Sequence, residues 1–235
     1  MDWRIHHKPE TESTNQDARK GTHGDVYTAG HQTAGRGRLD HKWLSPPNTN
    51  LMLSVVLSVA GLDPEAVSTL PLVIGLAVVK GLSPFASTML KWPNDVYADG
   101  RKLAGILCER HGDNVIVGIG VNVGQTSFPL EITEKATSIA IIANSNGACP
   151  QLNVVRDLIL SELGAGYERW MRQGFAAVYQ DIVKVDYLRG RMLSVKQTDD
   201  DSAPIVGVAN GIMPDGSLDV GGTRVYAGEA HVERL

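Results

Sequence analysis

Three apolar runs constrain the fold of this chain more than any other feature. Residues 51–59 mix Leu, Met and Val around Ser54 and Ser58, the pattern of a strand buried on both faces. Residues 115–123 are apolar enough to form a central strand. Between them Leu70, Val73, Ile74, Ala77 and Val78 recur with helical spacing. Asp63-Pro64-Glu65 offers one start for this helix, and Ser68-Thr69-Leu70-Pro71 a second with Pro in the first turn. The apolar stretch stops at Lys80, short of the roughly 18 uncharged residues of a membrane span.

The remaining segments fill in around that core. Ser13-Thr14-Asn15-Gln16 fits a helix start with Ser at the N-cap and Gln three residues on, the one helix expected in the polar first fifty residues. His6-His7 reads as exposed strand. Residues 89–96 read as a short strand leading to a turn at Ala98-Asp99-Gly100, and 103–110 as another strand. Val155, Ile159, Leu163, Tyr167 and Trp170 mark one face of a helix beginning near Leu152. After about Asp186 short β-like runs at 191–197, 204–213 and 217–220 alternate with turns, which predicts a small separate β barrel. Asp199-Asp200-Asp201 reads as a solvated hairpin tip.

Composition excludes several classes. With 235 residues, 43% hydrophobic and 20% charged, the chain can fill a sizeable core and is neither disordered, collagenous nor repeat-built. Lys and Arg total 22 against 26 Asp and Glu, so a net charge of −4 gives no general attraction to nucleic acid or anionic membrane. Any cationic site must be local. Cys108 and Cys149 cannot build a disulfide framework and read as reduced thiols. The first residues, MDWRIHHK, lack the apolar core of a signal peptide, so a cytoplasmic location is expected.

Three segments carry chemistry. Gln32-Thr33-Ala34-Gly35-Arg36-Gly37-Arg38-Leu39-Asp40-His41-Lys42-Trp43 sets cations beside two glycines, whose backbone permits close approach to an anion, and ends on an indole that could face a planar ring. Lys91-Trp92-Pro93-Asn94-Asp95, followed by Arg101-Lys102-Leu103-Ala104-Gly105, adds two lysines suited to phosphate oxygens and a carboxylate suited to Mg²⁺. Gly118-Ile119-Gly120-Val121-Asn122 lies on an apolar strand. Each alone also fits a surface hairpin, a surface ion pair or a glycine-permitted strand crossing. The sequence contains no G-x-x-x-x-G-K-[ST] loop, dinucleotide fingerprint, G-x-S-x-G elbow or H-E-x-x-H zinc motif.

Taken in this order, Ser13-Thr14-Asn15, residues 32–43, 91–95, 101–105 and 118–122 resemble the biotin protein ligase family over residues 10–125. The resemblance implies an α+β fold, with a mixed sheet and helices related to class II aminoacyl-tRNA synthetases over 1–185 and an SH3-like barrel over 186–235. It implies a ligase that joins biotin to AMP from ATP, releases pyrophosphate, and passes biotin to one lysine of a biotin carboxyl carrier protein. Ser13, Thr14, Asn15 and Gln32, with backbone at Gly35 and Gly105, would meet the ureido head. Arg36, Gly37 and Arg38 would form the loop over the carboxylate and adenylate phosphate, and Lys102 would bridge the two anions. Trp43, Asn94 and Asn122 would border the adenine, Lys91 would face phosphates, and Asp95 would contact Mg²⁺. Arg38 and Lys102 are the expected catalytic pair. The first motif starts at residue 13, which implies a short form without DNA binding. A monomer or a homodimer would fit, and a carrier could dock at a sheet edge.

One departure stands out. The common family pattern is G-R-G-R-x-G-R-x-W, and here Asp40 holds the usual Gly position and His41 the usual Arg. The loop keeps its length, loses a permanent cation and gains an anion. Two alternatives remain: a lipoate or octanoate ligase, whose R-R-x-S-G-G-G loop is absent here, and a non-catalytic biotin-binding module.

Overall fold

The computed structural model describes residues 1–39, 41–143, 149–197 and 203–233. The chain runs β1 (Arg4–Thr11), α1 (Thr14–Ala18), β2 (Asp25–Gln32), β3 (Leu51–Ser58), α2 (Pro64–Ser68), α3 (Leu70–Leu82), β4 (Met89–Lys91), β5 (Asp95–Ala98), β6 (Arg101–His111) and β7 (Asn114–Val121). It continues through α4 (Ile139–Ile142), α5 (Leu152–Gln173), α6 (Ala176–Lys184), β8 (Met192–Gln197), β9 (Ile205–Ile212), β10 (Leu218–Val220), β11 (Thr223–Val225) and β12 (Gly228–Val232).

The first seven strands form one mixed sheet in the order β1-β2-β3-β7-β6-β5-β4. β1 and β2 pair in parallel, and the other neighbours are antiparallel. β7 is central, as its apolar run requires, and β3 beside it is buried along nearly its whole length. Leu51, Leu53, Val55 and Leu57 face the main core with α3 and α5, while Val56 and Ile116 face the other way onto Ala18 of α1. Both helix starts are used, α2 at Pro64 and α3 at Leu70. Together they span 19 residues at mean hydropathy 1.6, long and apolar enough to cross a bilayer. Most of that length is buried within the protein instead, and α3 and α5 meet closely at Gly81, where a Cβ would lie 2.8 Å from Ile159 Cα. All five residues expected on the inner face of α5 are buried.

Three expectations need correction. The first fifty residues hold two strands besides the helix: β1 runs through the exposed strand expected at His6-His7, and β2 has no counterpart in the expectation. β1 is exposed along seven of its eight residues and so carries no apolar alternation to read. The Ser13 side chain makes no cap hydrogen bond, because Ser13 is buried at the edge of the site and Gln16 turns to solvent. Residues 89–96 are not one strand: β4 stops at Lys91, the chain turns through Trp92-Pro93-Asn94, and β5 begins at Asp95. Asp99 and Gly100 then take φ of 49° and 74°, the Asp-Gly pairing that closes a tight hairpin into β6.

The last five strands form an antiparallel sheet in the order β11-β10-β9-β8-β12, matching the small C-terminal barrel. Buried Trp92 donates Nε1–H to the Gly216 carbonyl at 3.0 Å, and Tyr179 Oη donates to the Ile212 carbonyl at 3.1 Å. The turn after β4 is thereby tied to the second sheet. The 199–201 acidic triplet and Asp40 lie outside the described residues.

Candidate active site

The sheet face opposite α3 and α5 is built in rows. Ser54, Gly118 and Leu107 lie side by side across β3, β7 and β6; Met52, Gly120 and Gly105 form the next row, and Val56, Ile116 and Glu109 the row on the other side. Glycine leaves space where a side chain would stand. Asn15 of α1 occupies the space over Gly118, and the Trp43 indole occupies that over Gly120 and Gly105. A methyl group at Gly118 would collide with Asn15 Oδ1, and one at Gly120 with the indole.

At the α1 end the polar groups interlock. Ser54 Oγ donates to Asn15 Oδ1 at 2.6 Å and lies 2.7 Å from Thr14 Oγ1. Gln32 Oε1 accepts the Thr14 backbone N–H at 2.8 Å. Asn15 Nδ2 donates to Glu109 at 2.6 Å, and the same carboxylate lies 3.5 Å from Arg36 and 3.7 Å from Arg19. Ser13, Thr14 and Asn15 are all buried. Such polar groups over an apolar floor fix the orientation of a small polar ligand.

At the β4–β5 end the cations gather. Arg38 Nη1 donates to Asn94 Oδ1 at 3.1 Å and reaches the Gly228 carbonyl at 3.5 Å. Lys102 Nζ pairs with Asp95 at 2.7 Å and stands 5.9 Å from the centre of the Trp43 ring. Lys91 pairs in register with Asp95, its Nζ 5.2 Å over the Tyr97 ring. Burial, and secondly the neighbouring Lys102, lower the Lys91 pKa against the opposing pull of Asp95 and Glu229. Arg38, Lys91 and Lys102 therefore converge on the turn at Asn94-Asp95.

The segment bearing Arg36 and Arg38 is a small hairpin: Arg36 bridges Lys42, and Trp43 N–H bonds the Gly35 carbonyl at 2.9 Å. A Cβ on Gly35 would strike the Trp43 carbonyl. The two arginines diverge, Arg36 toward Glu109 and Arg38 toward Asn94. Asn122, expected beside the adenine, is buried and donates Nδ2–H to the Thr137 carbonyl at 3.0 Å, while the Thr137 N–H bonds the Lys102 carbonyl. It holds the strap that lies along Lys102. Trp43 Nε1–H is buried with no hydrogen-bond partner among the described residues, a donor left open to a ligand acceptor.

A protein-held metal does not fit these residues. Asp95 Oδ1, a buried oxygen without an aligned hydrogen bond among the described residues, lies 2.7 Å from the Lys102 ammonium, which a cation would have to displace. Among the described residues no group of three His, Cys, Asp or Glu is placed to hold an ion. Mg²⁺, which favours six oxygens, would draw nearly all of its ligands from phosphates and water.

A polar pocket for a neutral head, a glycine floor and three converging cations suit the joining of an organic acid to a nucleotide. Comparison with known proteins decides which acid. Residues 8–125 match the model of the biotin/lipoate A/B protein ligase family. A biotin–acetyl-CoA-carboxylase ligase of Mycobacterium tuberculosis is 36% identical over 96% of this chain and 87% of its own length. The chain belongs to this family as a biotin protein ligase.

The solved biotin protein ligase of Aquifex aeolicus, in complex with biotin and ATP, superposes on this ligase with a TM-score of 0.87 at 28% identity, covering 98% and 99% of the two chains. The bifunctional ligase/repressor BirA of Escherichia coli is 31% identical over 83% of this chain, which spans 61% of that protein. The activity of the ligase is thus the ATP-dependent attachment of biotin to protein. Its structure brings Thr14, Asn15, Gln32, Arg36, Arg38, Trp43, Asn94, Lys102 and Gly105 to one sheet face or its rim, while Gly37 touches only His41 of its own hairpin and Asn122 is bonded to Thr137. Ser54 and Glu109 were missed. Ser54 had a signal, a hydroxyl inside an otherwise apolar strand; Glu109 had none beyond closing the apolar run of β6.

Proposed function

We propose that the ligase works in two steps on this one surface. A carboxylate oxygen of biotin attacks the α-phosphorus of ATP, a new P–O bond forms, the bond to the β-phosphate oxygen breaks, and pyrophosphate leaves. The ε-amine of a carrier lysine then attacks the acyl carbon, the acyl C–O bond breaks, AMP leaves, and the amine gives up a proton to form the amide. No covalent enzyme intermediate is required. The observation that carries this reading is the convergence of Arg38, Lys91 and Lys102 beside the polar pocket at Thr14 and Asn15. Two anions must be brought together, and fixed cations lower the cost of doing so.

In this reading Ser13, Thr14, Asn15 and Gln32, with the Gly35 and Gly105 backbone, hold the ureido head. Lys102 bridges the biotin carboxylate and α-phosphate, Arg38 and Lys91 meet phosphate oxygens, and Trp43 with Asn94 borders the adenine. Asn122 shapes the wall. The Arg36–Arg38 hairpin closes over the mixed anhydride and keeps water from it. The acceptor is the carrier domain of a biotin-dependent carboxylase. The unpaired thiols of Cys108, pushed up to about 12 by burial, and Cys149 suit a reducing, cytoplasmic setting. The division into a catalytic unit over 1–185 and a barrel over 186–235 is supported by the gap between α6, ending at Lys184, and β8, starting at Met192.

The test is transfer. Purified ligase with ATP and biotin should label a carboxylase carrier domain and fail on the same domain with its acceptor lysine changed to Arg. Equal labelling of both would remove the specific second step.

A further inference from the structure

We propose that Glu109 is a positioning residue that sets the orientation of the Asn15 amide and anchors the arginine hairpin on the biotin side of the pocket. The proposal rests on the biotin-ligase reading of the site. Glu109 stands at the rim of the glycine floor, in the row of Val56 and Ile116. Its carboxylate gathers three groups from two separate segments: Asn15 of α1 at 2.6 Å and Arg19 at the end of the same helix at 3.7 Å, and Arg36 of the hairpin at 3.5 Å.

Two features make this more than a surface pair. A primary amide can sit either way round, and its neighbours decide which way. An ionised carboxylate only accepts, so it takes Asn15 Nδ2–H and leaves Oδ1 to the Ser54 hydroxyl. Without Glu109 the amide can turn over and present the opposite pattern of donor and acceptor to the ligand. In a site whose buried polar groups match a polar head, such a reversal leaves groups unpaired. Secondly, Glu109 neutralises Arg36 and holds it away from the Asn94-Asp95 turn, whereas Arg38 lies against that turn. The two arginines of one hairpin thus divide their work: Arg36 fastens the hairpin to β6, and Arg38 serves the phosphate end.

Three variants test this by direct biotin binding, by KM for biotin and ATP, and by the dissociation rate of biotinyl-AMP. Glu109→Leu leaves Asn15, Arg19 and Arg36 without their carboxylate and should weaken biotin roughly tenfold or more, as expected for an unpaired buried donor, with the KM for ATP within about twofold of wild type. Glu109→Gln keeps an oxygen acceptor for Asn15 but no charge for Arg36. It should recover most of the biotin affinity and still release biotinyl-AMP several-fold faster. Arg36→Leu should reproduce the faster release without the loss of biotin affinity. Parallel losses for biotin and ATP in E109L, or none, would overturn the proposal. Should E109L not fold, unchanged adenylate release in E109Q would overturn it by itself. Biotin binding reports on Glu109 even if wild-type enzyme proved unable to adenylate, so the two failures stay separate.

Discussion

Lys102 and Asp95 face each other from neighbouring strands β6 and β5 with Nζ and Oδ1 2.7 Å apart. The ion pair holds the ammonium over the end of the glycine floor, close to the Trp43 ring. Nucleotide phosphates entering there meet a cation already fixed in place, which is what makes electrostatic stabilisation effective. Lys102→Ala should slow adenylation on the order of 10²-fold or more, measured as single-turnover formation of biotinyl-AMP. Near-wild-type adenylation in that variant would remove Lys102 from the mechanism.

Arg38 joins the hairpin both to Asn94 and to the Gly228 carbonyl at the start of β12. Its loss frees the hairpin from the cationic end of the site and from the second sheet together. Arg38→Ala should therefore release biotinyl-AMP faster and raise labelling of bystander lysines several-fold, read by mass spectrometry of a non-carrier protein mixture. Unchanged off-target labelling would separate Arg38 from retention of the intermediate.

The glycine floor makes a sharper prediction, because the two ends respond separately. Gly118→Ala places a methyl group against Asn15 and should raise the KM for biotin roughly tenfold by unpairing the buried amide. Gly120→Ala pushes instead on the Trp43 indole and should chiefly raise the KM for ATP. If both variants shifted both constants alike, the assignment of the two ends would be wrong.

Acid stability should depend on Asp25. Burial favours its neutral form, but the Thr22 backbone N–H, His6, Arg4 and the Thr22 hydroxyl together outweigh it and hold the carboxyl well below the usual range. A depressed folded-state pKa contributes stability that is fully present above the unfolded value of about 3.9 and is lost as pH falls through and below it. Wild type should exceed Asp25→Asn in thermal midpoint at neutral pH, with the gap closing below about pH 4. A gap independent of pH between 3 and 7 would place the effect elsewhere.

The buried elements were legible because burial writes a pattern into the chain. β3, β7, α3 and the inner face of α5 show it from Leu51 to Trp170. β1 does not, since an exposed parallel edge strand obeys no hydrophobic period, and it is held by pairing to β2 and by the Arg4–Asp25 ion pair at 2.8 Å. The break at Trp92-Pro93-Asn94 was hidden because Trp92 is as buried as a strand residue, although it packs toward the second sheet. In the site, the order of motifs named the pocket through resemblance. Their sharing of one sheet face needed the register, which sets Gly105 opposite Gly120 and Leu107 opposite Gly118. Glu109 belongs to that same register, and only the fold brings it to Asn15, 94 positions away in sequence.

The most direct test of the account is biotin-dependent exchange of pyrophosphate into ATP, with lipoate and octanoate as parallel substrates. The account predicts exchange with biotin alone, greatly reduced by Lys102→Ala. Exchange with lipoate or octanoate in place of biotin, or none with any acid in folded protein supplied with Mg²⁺, would contradict it.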